Sequence, residues 1–179
     1  MKLPPYDTFP NLSGNNILLR EIQYSDLKHI VEISRYDAIP AKNVEEAAAM
    51  QEKINQNYKD GNSIHWGIAD KSSNTIVGTC GYYRGLDKGE GELGCILLSQ
   101  FMGHGYMTAA IQLAIQFGLN DIGLKRIFAI TTQQNDKAIR LLERIGFVKI
   151  ADLEDDEIEY EWVKTNPSTL ATSAISPSN

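Results

Sequence analysis

The middle of the chain alternates apolar and polar positions with a period of two. Residues 65–69, 75–83 and 92–98 form three such runs, and polar or glycine-containing turns separate them. A period of two places successive side chains on opposite faces of a sheet. Residues 65–98 are therefore predicted to form an antiparallel meander of three strands.

Two helical segments precede this meander and two follow it. Residues 25–35 begin with an N-cap at Ser25-Asp26, and residues 44–58 are rich in strong helix formers. Residues 106–119 and 136–145 show helical spacing, and the second of these segments is followed by a glycine that can end it. The residues expected on the buried face of the third helix are Met107, Ala110, Ile111, Ala114 and Gly118.

Further apolar runs predict the remaining strands. Residues 17–22 and 126–132 are predicted to be single strands, and residues 147–151 and 158–163 a closing hairpin. The resulting order is β-αα-βββ-α-β-α-ββ, without an internal repeat. Since 179 residues suit one hydrophobic core, we expect a single α+β domain with a mixed, mostly antiparallel sheet flanked by helices.

The two ends of the chain lack this patterning. Residues 1–16 are rich in Pro, Asn and Gly, and we expect an irregular lead-in to a domain that spans residues 1–164. Residues 165–179 are rich in Ser, Thr, Asn and Pro, which predicts a flexible C-terminal tail. Because no apolar stretch follows Lys2, no secretory signal is predicted.

Composition and charge argue against several classes of protein. The net charge of −6, from 17 basic and 23 acidic residues, argues against a nucleic-acid-binding surface. No apolar run approaches the ~20 residues that a membrane helix needs. Cys80 and Cys95 lie in apolar runs without metal-ligand spacing. We therefore expect no nucleic-acid or membrane partner, no metal, and a reduced compartment, most simply the cytoplasm.

The stretch before the third helix is the most informative part of the sequence. It contains two glycines, which allow the backbone to approach a ligand, and the first amides of the helix that follows have no intrahelical partner. Such a turn predicts an anion site, although a plain strand-to-helix connection has the same pattern. The third glycine of the dinucleotide fingerprint and the Gly-Lys-Ser/Thr ending of a P-loop are missing, which disfavours a nucleotide-binding protein. The stretch reads Gln100-Phe101-Met102-Gly103-His104-Gly105-Tyr106-Met107-Thr108.

Two motifs in the chain resemble those of a known family. Gln100-x-x-Gly103-x-Gly105 resembles the coenzyme A signature of the GNAT acetyltransferase superfamily. The flanking residues 92–97 and 106–110 resemble its ribosomal-protein N-terminal acetyltransferase branch. The segment from Asn135 to Gly146-Phe147 is similar to a second helix motif of the family, about thirty residues further on. The resemblance covers roughly residues 17–163 and implies a GNAT fold and an acetyl-CoA-dependent N-acetyltransferase.

The resemblance also implies which residues hold acetyl-CoA. Backbone groups of one strand would pair with the pantetheine arm, and the amides of the turn would hold the pyrophosphate. Met102 stands where the family often has a basic residue, and His104 is a candidate to replace that contact. Asn135 would bond the pantetheine amide, although Asn is also a common helix N-cap. The implied contacts are Ile96, Leu97, Leu98, Met102, Gly103, His104, Gly105, Tyr106, Met107, Thr108 and Asn135.

The chemistry of acetyl transfer favours one class of acceptor. A lysine amine with a pKa near ~10.4 is neutral about once in ~2500 molecules at roughly pH 7, a cost of ~4.6 kcal/mol. An α-amine near ~8 costs only ~1.4 kcal/mol. Glu92, which begins the strand expected to reach the acetyl group, is the candidate general base, although a solvated glutamate at a strand end fits the sequence equally well.

The general acid is harder to assign from the sequence. The family usually places a hydroxyl on the helix after Asn135, at the positions that Ala138 and Leu142 occupy here. Tyr106 is a candidate to replace it; alternatively, the thiolate leaves without a proton, or catalytic power is lost.

The sequence therefore predicts transfer of an acetyl group to a primary amine, first to a protein N-terminus, in a monomer or homodimer. The alternatives are a small amine or an aminoglycoside as acceptor, or a coenzyme A-binding module without catalysis. Acidic residues of the last hairpin would steer a basic acceptor or form a solvated turn. Four aromatic residues would line the acceptor pocket or belong to the core. The acidic residues are Asp152, Glu154, Asp155, Asp156, Glu157, Glu159 and Glu161, and the aromatic ones are Tyr36, Trp66, Tyr82 and Tyr83.

Overall fold

A computed structural model describes residues 1–164, in which one eight-stranded sheet carries helices on both faces. The predicted tail, residues 165–179, lies outside the described residues. Within residues 1–164 the ten strands are β1 (Leu12–Ser13), β2 (Ile17–Arg20), β3 (Arg35–Tyr36), β4 (Ile39–Pro40), β5 (Ile64–Asp70), β6 (Ile76–Tyr82), β7 (Glu90–Leu97), β8 (Arg126–Thr132), β9 (Phe147–Asp152) and β10 (Glu157–Trp162). The α-helices of this range are α1 (Leu27–Ile30), α2 (Val44–Lys59), α3 (Tyr106–Phe117) and α4 (Asp136–Ile145).

The strand order in the sheet is β1-β2-β5-β6-β7-β8-β10-β9, and β3 and β4 form a separate hairpin. The β7–β8 pair is parallel, whereas the other neighbours in the large sheet are antiparallel. This arrangement confirms the predicted mixed, mostly antiparallel α+β domain. The meander β5-β6-β7, the last hairpin and three of the four helices also lie where the sequence predicts them.

The second of the two predicted N-terminal helices is continuous, but the first is not. Residues 25–35, predicted as one helix capped at Ser25-Asp26, divide into the 3-10 turn Tyr24–Asp26, the single α turn α1 and the 3-10 turn Val31–Ile33. The N-cap is Gln23, whose backbone N–H donates to the Asp26 carboxylate at 2.8 Å. At the other end, the Ser34 hydroxyl donates to the carbonyl of Ile30 at 2.9 Å and competes with the bond that would continue the helix.

The predicted lead-in, residues 1–16, also contains regular structure. Leu12 and Ser13 pair with Leu19 and Leu18 and add an edge strand to the sheet. The indole of Trp66 donates to the carbonyl of Pro10 at 2.9 Å, which holds the segment against the core. The prediction that the lead-in is wholly irregular was therefore wrong.

The sheet has an apolar cluster on each face. On one face, α3 packs Ala110, Ile111 and Ala114 against buried side chains of β5 and β6, as its predicted stripe requires, whereas Met107 is only half-buried. On the other face, Leu27, Ile30 and Ile33 lie among residues of β5 and β6 in a smaller cluster. Trp66 and Tyr82 belong to the larger cluster and are fully buried, so they form part of the core and not of a pocket.

Candidate active site

The strands β7 and β8 separate part of the way along their length. Their parallel register joins Glu90 to Arg126, Gly91 to Ile127 and Glu92 to Phe128, and no pair beyond Glu92 is formed between them within residues 1–164. Within the described residues, Leu93 to Leu97 have a strand partner, β6, on one edge and none on the other. Their other edge offers unpaired backbone groups to an extended ligand, and the edge includes two of the predicted pantetheine contacts, Ile96 and Leu97.

The turn before α3 offers a second set of unpaired backbone groups. Gly103 and Gly105 have φ of 83° and 78°, the left-handed conformation that favours glycine. The N-cap is Gly105, which has no side chain to bond the first amides of the helix. The first helical hydrogen bond runs from the Ala109 N–H to the carbonyl of Gly105, at 3.1 Å. The amides of Tyr106, Met107 and Thr108 precede that bond. The turn therefore leaves the first amides of α3, at the positive end of the helix dipole, without a side-chain cap.

Side chains hold the turn in this conformation. The His104 ring, which is exposed, donates from Nδ1 to the carbonyl of Met102 at 3.0 Å. The Tyr106 hydroxyl donates to the Asp70 carboxylate, at the end of β5, at 2.7 Å. Hydrogen bonds from Ser72, Tyr106 and Ser73 hold the pKa of Asp70 well below its usual range, and the bond to Asp70 raises the pKa of Tyr106. The hydroxyl of Tyr106, the predicted general acid, is therefore already hydrogen-bonded to Asp70.

The helix α4 follows β8 in the chain and packs against β9 and α3. The Asn135 side-chain oxygen accepts from the Ala138 amide at 3.2 Å, so Asn135 is the N-cap of α4. Its Nδ2 has no hydrogen-bond partner within the described residues and is free to donate to a ligand. Leu142, at the position where the family usually has a hydroxyl, is a buried core residue.

A cavity of about 500 Å³ lies between the sheet and the N-terminal helices, and we call it the acceptor cleft after the acceptor pocket that the sequence predicts. Its floor comes from β5, β6 and β7, and its walls come from α1, α2 and the β3–β4 hairpin. Two hairpin residues at the rim, Asp37 and Ala38, have positive φ of 48° and 63°, the conformation that a two-residue hairpin turn requires. Tyr36 and Tyr83 also line the cleft, which agrees with the prediction that they belong to a pocket and not to the core.

The predicted base Glu92 lies in this cleft. Its carboxylate forms an ion pair with Arg84, whose Nε lies 2.9 Å from Oε2. The Glu92 side chain is 16% exposed, whereas that of Arg84 is 77% exposed, so Arg84 can leave Glu92 without unpacking the core. Glu92 is also the last residue of β7 that pairs with β8. Its backbone therefore marks the start of the gap between the strands, while its side chain faces the acceptor cleft.

Two aromatic rings form the floor beside Glu92. The rings of His65 and Tyr83 lie 5.4 Å apart between centroids. They cover Gly81 and Gly94, which face each other on β6 and β7; a Cβ on Gly94 would lie 2.4 Å from the Tyr83 ring. His65 Nδ1 is buried without a hydrogen-bond partner, and burial lowers the pKa of His65 to about 4. A neutral imidazole therefore lies in the floor of the cleft.

Sequence reasoning missed Arg84 and His65. No local pattern marks either residue, because Arg84 is significant only through its partner on the next strand, and His65 only through the glycine opposite it. The glycine pair Gly81 and Gly94 was the one available signal, since glycines inside strands often mark a close approach.

The acidic hairpin is less open to a ligand than its sequence suggests. Arg126 binds Glu159 and Glu161 as well as Glu90, which neutralises part of the predicted acidic ribbon. No cluster of His, Cys, Asp or Glu within residues 1–164 has the arrangement of a metal site. Across the same residues, none of the helices is both long and apolar enough to span a membrane.

Comparison with known proteins gives a consistent set of matches. A family model described as "Acetyltransferase (GNAT) domain" matches residues 16–148. The uncharacterized N-acetyltransferase p20 of Bacillus licheniformis is 30% identical over 128 residues, which cover 70% of this chain and 72% of the relative. The uncharacterized N-acetyltransferase YoaA of Bacillus subtilis (strain 168) is 27% identical over 149 residues, 79% of this chain and 84% of the relative.

Solved structures share the fold at lower identity. The ribosomal-protein-S5-alanine acetyltransferase from Vibrio fischeri superposes with a TM-score of 0.67 at 21% identity and covers 86% of this chain and 96% of that one. The spermidine/spermine N-acetyltransferase SpeG from Vibrio cholerae superposes with a TM-score of 0.68 at 20% identity and covers 82% of this chain and 91% of that one.

Proposed function

Because the chain belongs to the GNAT acetyltransferase family, we propose that this acetyl-CoA-dependent enzyme acetylates the α-amine of a protein or peptide N-terminus. One observation carries the proposal: the Glu92 backbone lies where β7 and β8 part, and its carboxylate lines the acceptor cleft. A carboxylate there faces both the end of a ligand between the strands and an amine in the cleft. This geometry favours a general base over a merely solvated glutamate.

We assign the binding of acetyl-CoA to the backbone groups around the gap. The free edge at Ile96 and Leu97 would bind the pantetheine arm, and the turn from Met102 to Thr108 would bind the pyrophosphate. The predicted contact Leu98 does not belong to this edge, because its N–H donates to Val77 and its carbonyl accepts from Phe101. The Nδ2 of Asn135 would donate to the pantetheine while its oxygen caps α4. Bound in this way, acetyl-CoA supplies an acetyl thioester beside Glu92.

Glu92 would act once Arg84 has left its carboxylate. The carboxylate then accepts the proton of the acceptor ammonium, directly or through one water, and leaves a neutral amine that attacks the acetyl carbon. For an α-amine this deprotonation costs only ~1.4 kcal/mol at roughly pH 7, which a modest base can supply.

The charges of the cleft favour a single cation over a polyamine. Two acidic residues line the cleft, Glu92 and Asp37, and two basic ones, Arg35 and Arg84. A polyamine would need several uncompensated carboxylates, whereas a peptide N-terminus carries one reacting charge. The similarity in fold to SpeG, a spermidine/spermine N-acetyltransferase, makes a polyamine the second candidate.

A thiol-release assay with a matched panel of acceptors tests the proposal. The panel holds a peptide with a free N-terminus and no lysine, the same peptide with a blocked N-terminus, a blocked peptide with one lysine, spermidine and an aminoglycoside. We expect thiol release with the first peptide and only background release with its blocked form. Release that is faster with spermidine or the aminoglycoside would contradict the proposed acceptor, and no release with any amine would favour a non-catalytic binding module.

A further inference from the structure

The proton donor for the leaving thiolate has no obvious place in the acetyl-CoA half of the site. The helix positions Ala138 and Leu142 carry no hydroxyl. Tyr106 does, but that hydroxyl donates to Asp70 at 2.7 Å, and Tyr106 does not line the acceptor cleft. The donor therefore has to be sought among the hydroxyl groups of the cleft itself.

The surroundings of β7 make departure without a proton costly. Cys95 lies on the segment of β7 that borders the gap, and burial raises the pKa of its thiol to about 12. A thiolate that forms beside the same segment is desolvated on the side that faces β7, which disfavours the anion and favours a nearby hydroxyl or ammonium donor.

Tyr83 is a cleft hydroxyl that lies beside Glu92 at the start of the gap. Its backbone amide donates to the carbonyl of Glu92 at 3.0 Å, so the two residues lie side by side on neighbouring strands. Its ring lies over Gly94, two residues further along β7, on the segment that is free of β8. With 38% of the residue exposed, the ring keeps an open side to the cleft.

We propose that Tyr83 is the general acid of the reaction and donates its phenolic proton to the departing sulfur while Glu92 acts as the base. The inference rests on the proposed function, because it assumes that an acetyl thioester lies along β7.

The proton balance closes with one proton released to solvent. Glu92 first passes the proton of the acceptor ammonium to water. The C–N bond then forms as the C–S bond breaks, one of the two protons on the attacking nitrogen passes to Glu92, and the Tyr83 proton passes to sulfur. The Glu92 proton then returns to the Tyr83 oxygen, which restores both groups. Desolvation by the cleft walls, with the neighbouring Cys80 and Cys95, raises the pKa of Tyr83, so the hydroxyl keeps its proton until the sulfur develops charge.

The glycine at position 94 explains how Tyr83 reaches this place. An alanine there would put its Cβ 2.4 Å from the Tyr83 ring. The His65 ring supports the other side of Tyr83 at 5.4 Å. Tyr83→Phe removes the hydroxyl and keeps the ring that packs on Gly94 and beside His65.

Single-turnover kinetics of Tyr83→Phe, with an acceptor that the wild-type enzyme uses, test the inference. We expect the rate of acetyl transfer to fall about 10²-fold or more, with the acetyl-CoA Kd and the acceptor KM changed by less than about threefold. Tyr160→Phe, which removes a hydroxyl that binds Glu143 outside the cleft, is the matched control and should keep the wild-type rate.

Fluorotyrosines of graded acidity at position 83 provide a second measurement that keeps the fold and the hydroxyl. A transfer rate that changes with the acidity of the phenol supports proton donation. A Tyr83→Phe rate within about threefold of wild type, or a loss that appears only in the acceptor KM, would overturn the assignment. If Tyr106→Phe instead abolishes the chemical step, the acid is Tyr106. Wild-type turnover in the same assay separates these outcomes from a failure of the proposed function.

Discussion

On one side of Glu92, the gap between β7 and β8 and the turn before α3 present backbone groups; on the other side, the cleft beneath α1 and α2 presents side chains. The backbone half has free strand edges and a helix N-terminus capped by glycine. The side-chain half has a carboxylate paired with Arg84, a neutral imidazole and two tyrosines. Backbone groups suit a cosubstrate that never changes, whereas side chains can vary with the acceptor and carry its proton transfers. The two halves should therefore respond to mutation in different observables.

The largest effect should come from Glu92, where the two halves meet. Glu92→Gln removes the base but keeps the size of the side chain, so we expect kcat to fall about 10²- to 10⁴-fold while acetyl-CoA still binds. Steady-state kinetics and calorimetry of the same preparation measure the two effects. The matched control is Glu90→Gln, two residues away on the same strand, whose carboxylate binds Arg126 outside the cleft. Equal losses in both variants would show that charge on β7, and not a base at Glu92, matters.

The floor of the side-chain half should make the fold sensitive to acid. The pKa of His65 is lowered from 6.5 to about 4 in the folded protein. Between these two pH values the imidazole is protonated in the unfolded chain but neutral in the folded one. Unfolding then takes up a proton, and stability falls as the pH falls through this window, by up to about 3 kcal/mol.

Urea unfolding at the two ends of that window measures the effect. His65→Gln should lose the part of the acid sensitivity that comes from this imidazole, whereas His29→Gln, on an exposed position, should keep it. A wild-type stability that does not change between these pH values would show that His65 is not held neutral.

The backbone half should respond in affinity. Gly105→Ala places an L-residue at φ 78°, and its Cβ meets no protein atom within 4 Å, so it enters the space assigned to the pyrophosphate. We expect acetyl-CoA to bind about tenfold more weakly, or worse, which corresponds to about 1.4 kcal/mol. Gly123→Ala imposes the same conformation at φ 84° far from the turn and should lower the melting temperature without changing the Kd. If both variants bind acetyl-CoA like wild type, the anion site lies elsewhere.

The smallest effect should come from Arg84. Arg84→Gln removes a cation that competes with the acceptor for Glu92, so we expect a lower acceptor KM. The change should be at most about fivefold, because a pair with one exposed partner is worth about 1 kcal/mol or less. Lys88→Gln, a nearby charge change that lies outside the cleft, should leave KM unchanged. A higher KM after Arg84→Gln would mean that Arg84 binds the acceptor itself.

The same contrast explains what the sequence could predict. Strand periodicity, the glycine turn and the Asn135 helix are local signals, and they are enough to predict the elements of the backbone half. The acceptor half depends on side-chain contacts between neighbouring strands: Arg84, just after β6, pairs with Glu92 on β7, and His65 packs beside Tyr83 where two glycines face each other. The first helix was mispredicted for a different, local reason, since the Ser34 hydroxyl donates to the Ile30 carbonyl and competes with the bond that would continue the helix.

The most direct test of the central claim gives the enzyme one peptide with both a free α-amine and a lysine side chain. Mass spectrometry of the product, after digestion that separates the two amines, locates the acetyl group. The account predicts that acetyl accumulates on the α-amine and that Glu92→Gln abolishes this product. Acetyl on the lysine, or on neither amine while spermidine is acetylated, would contradict it.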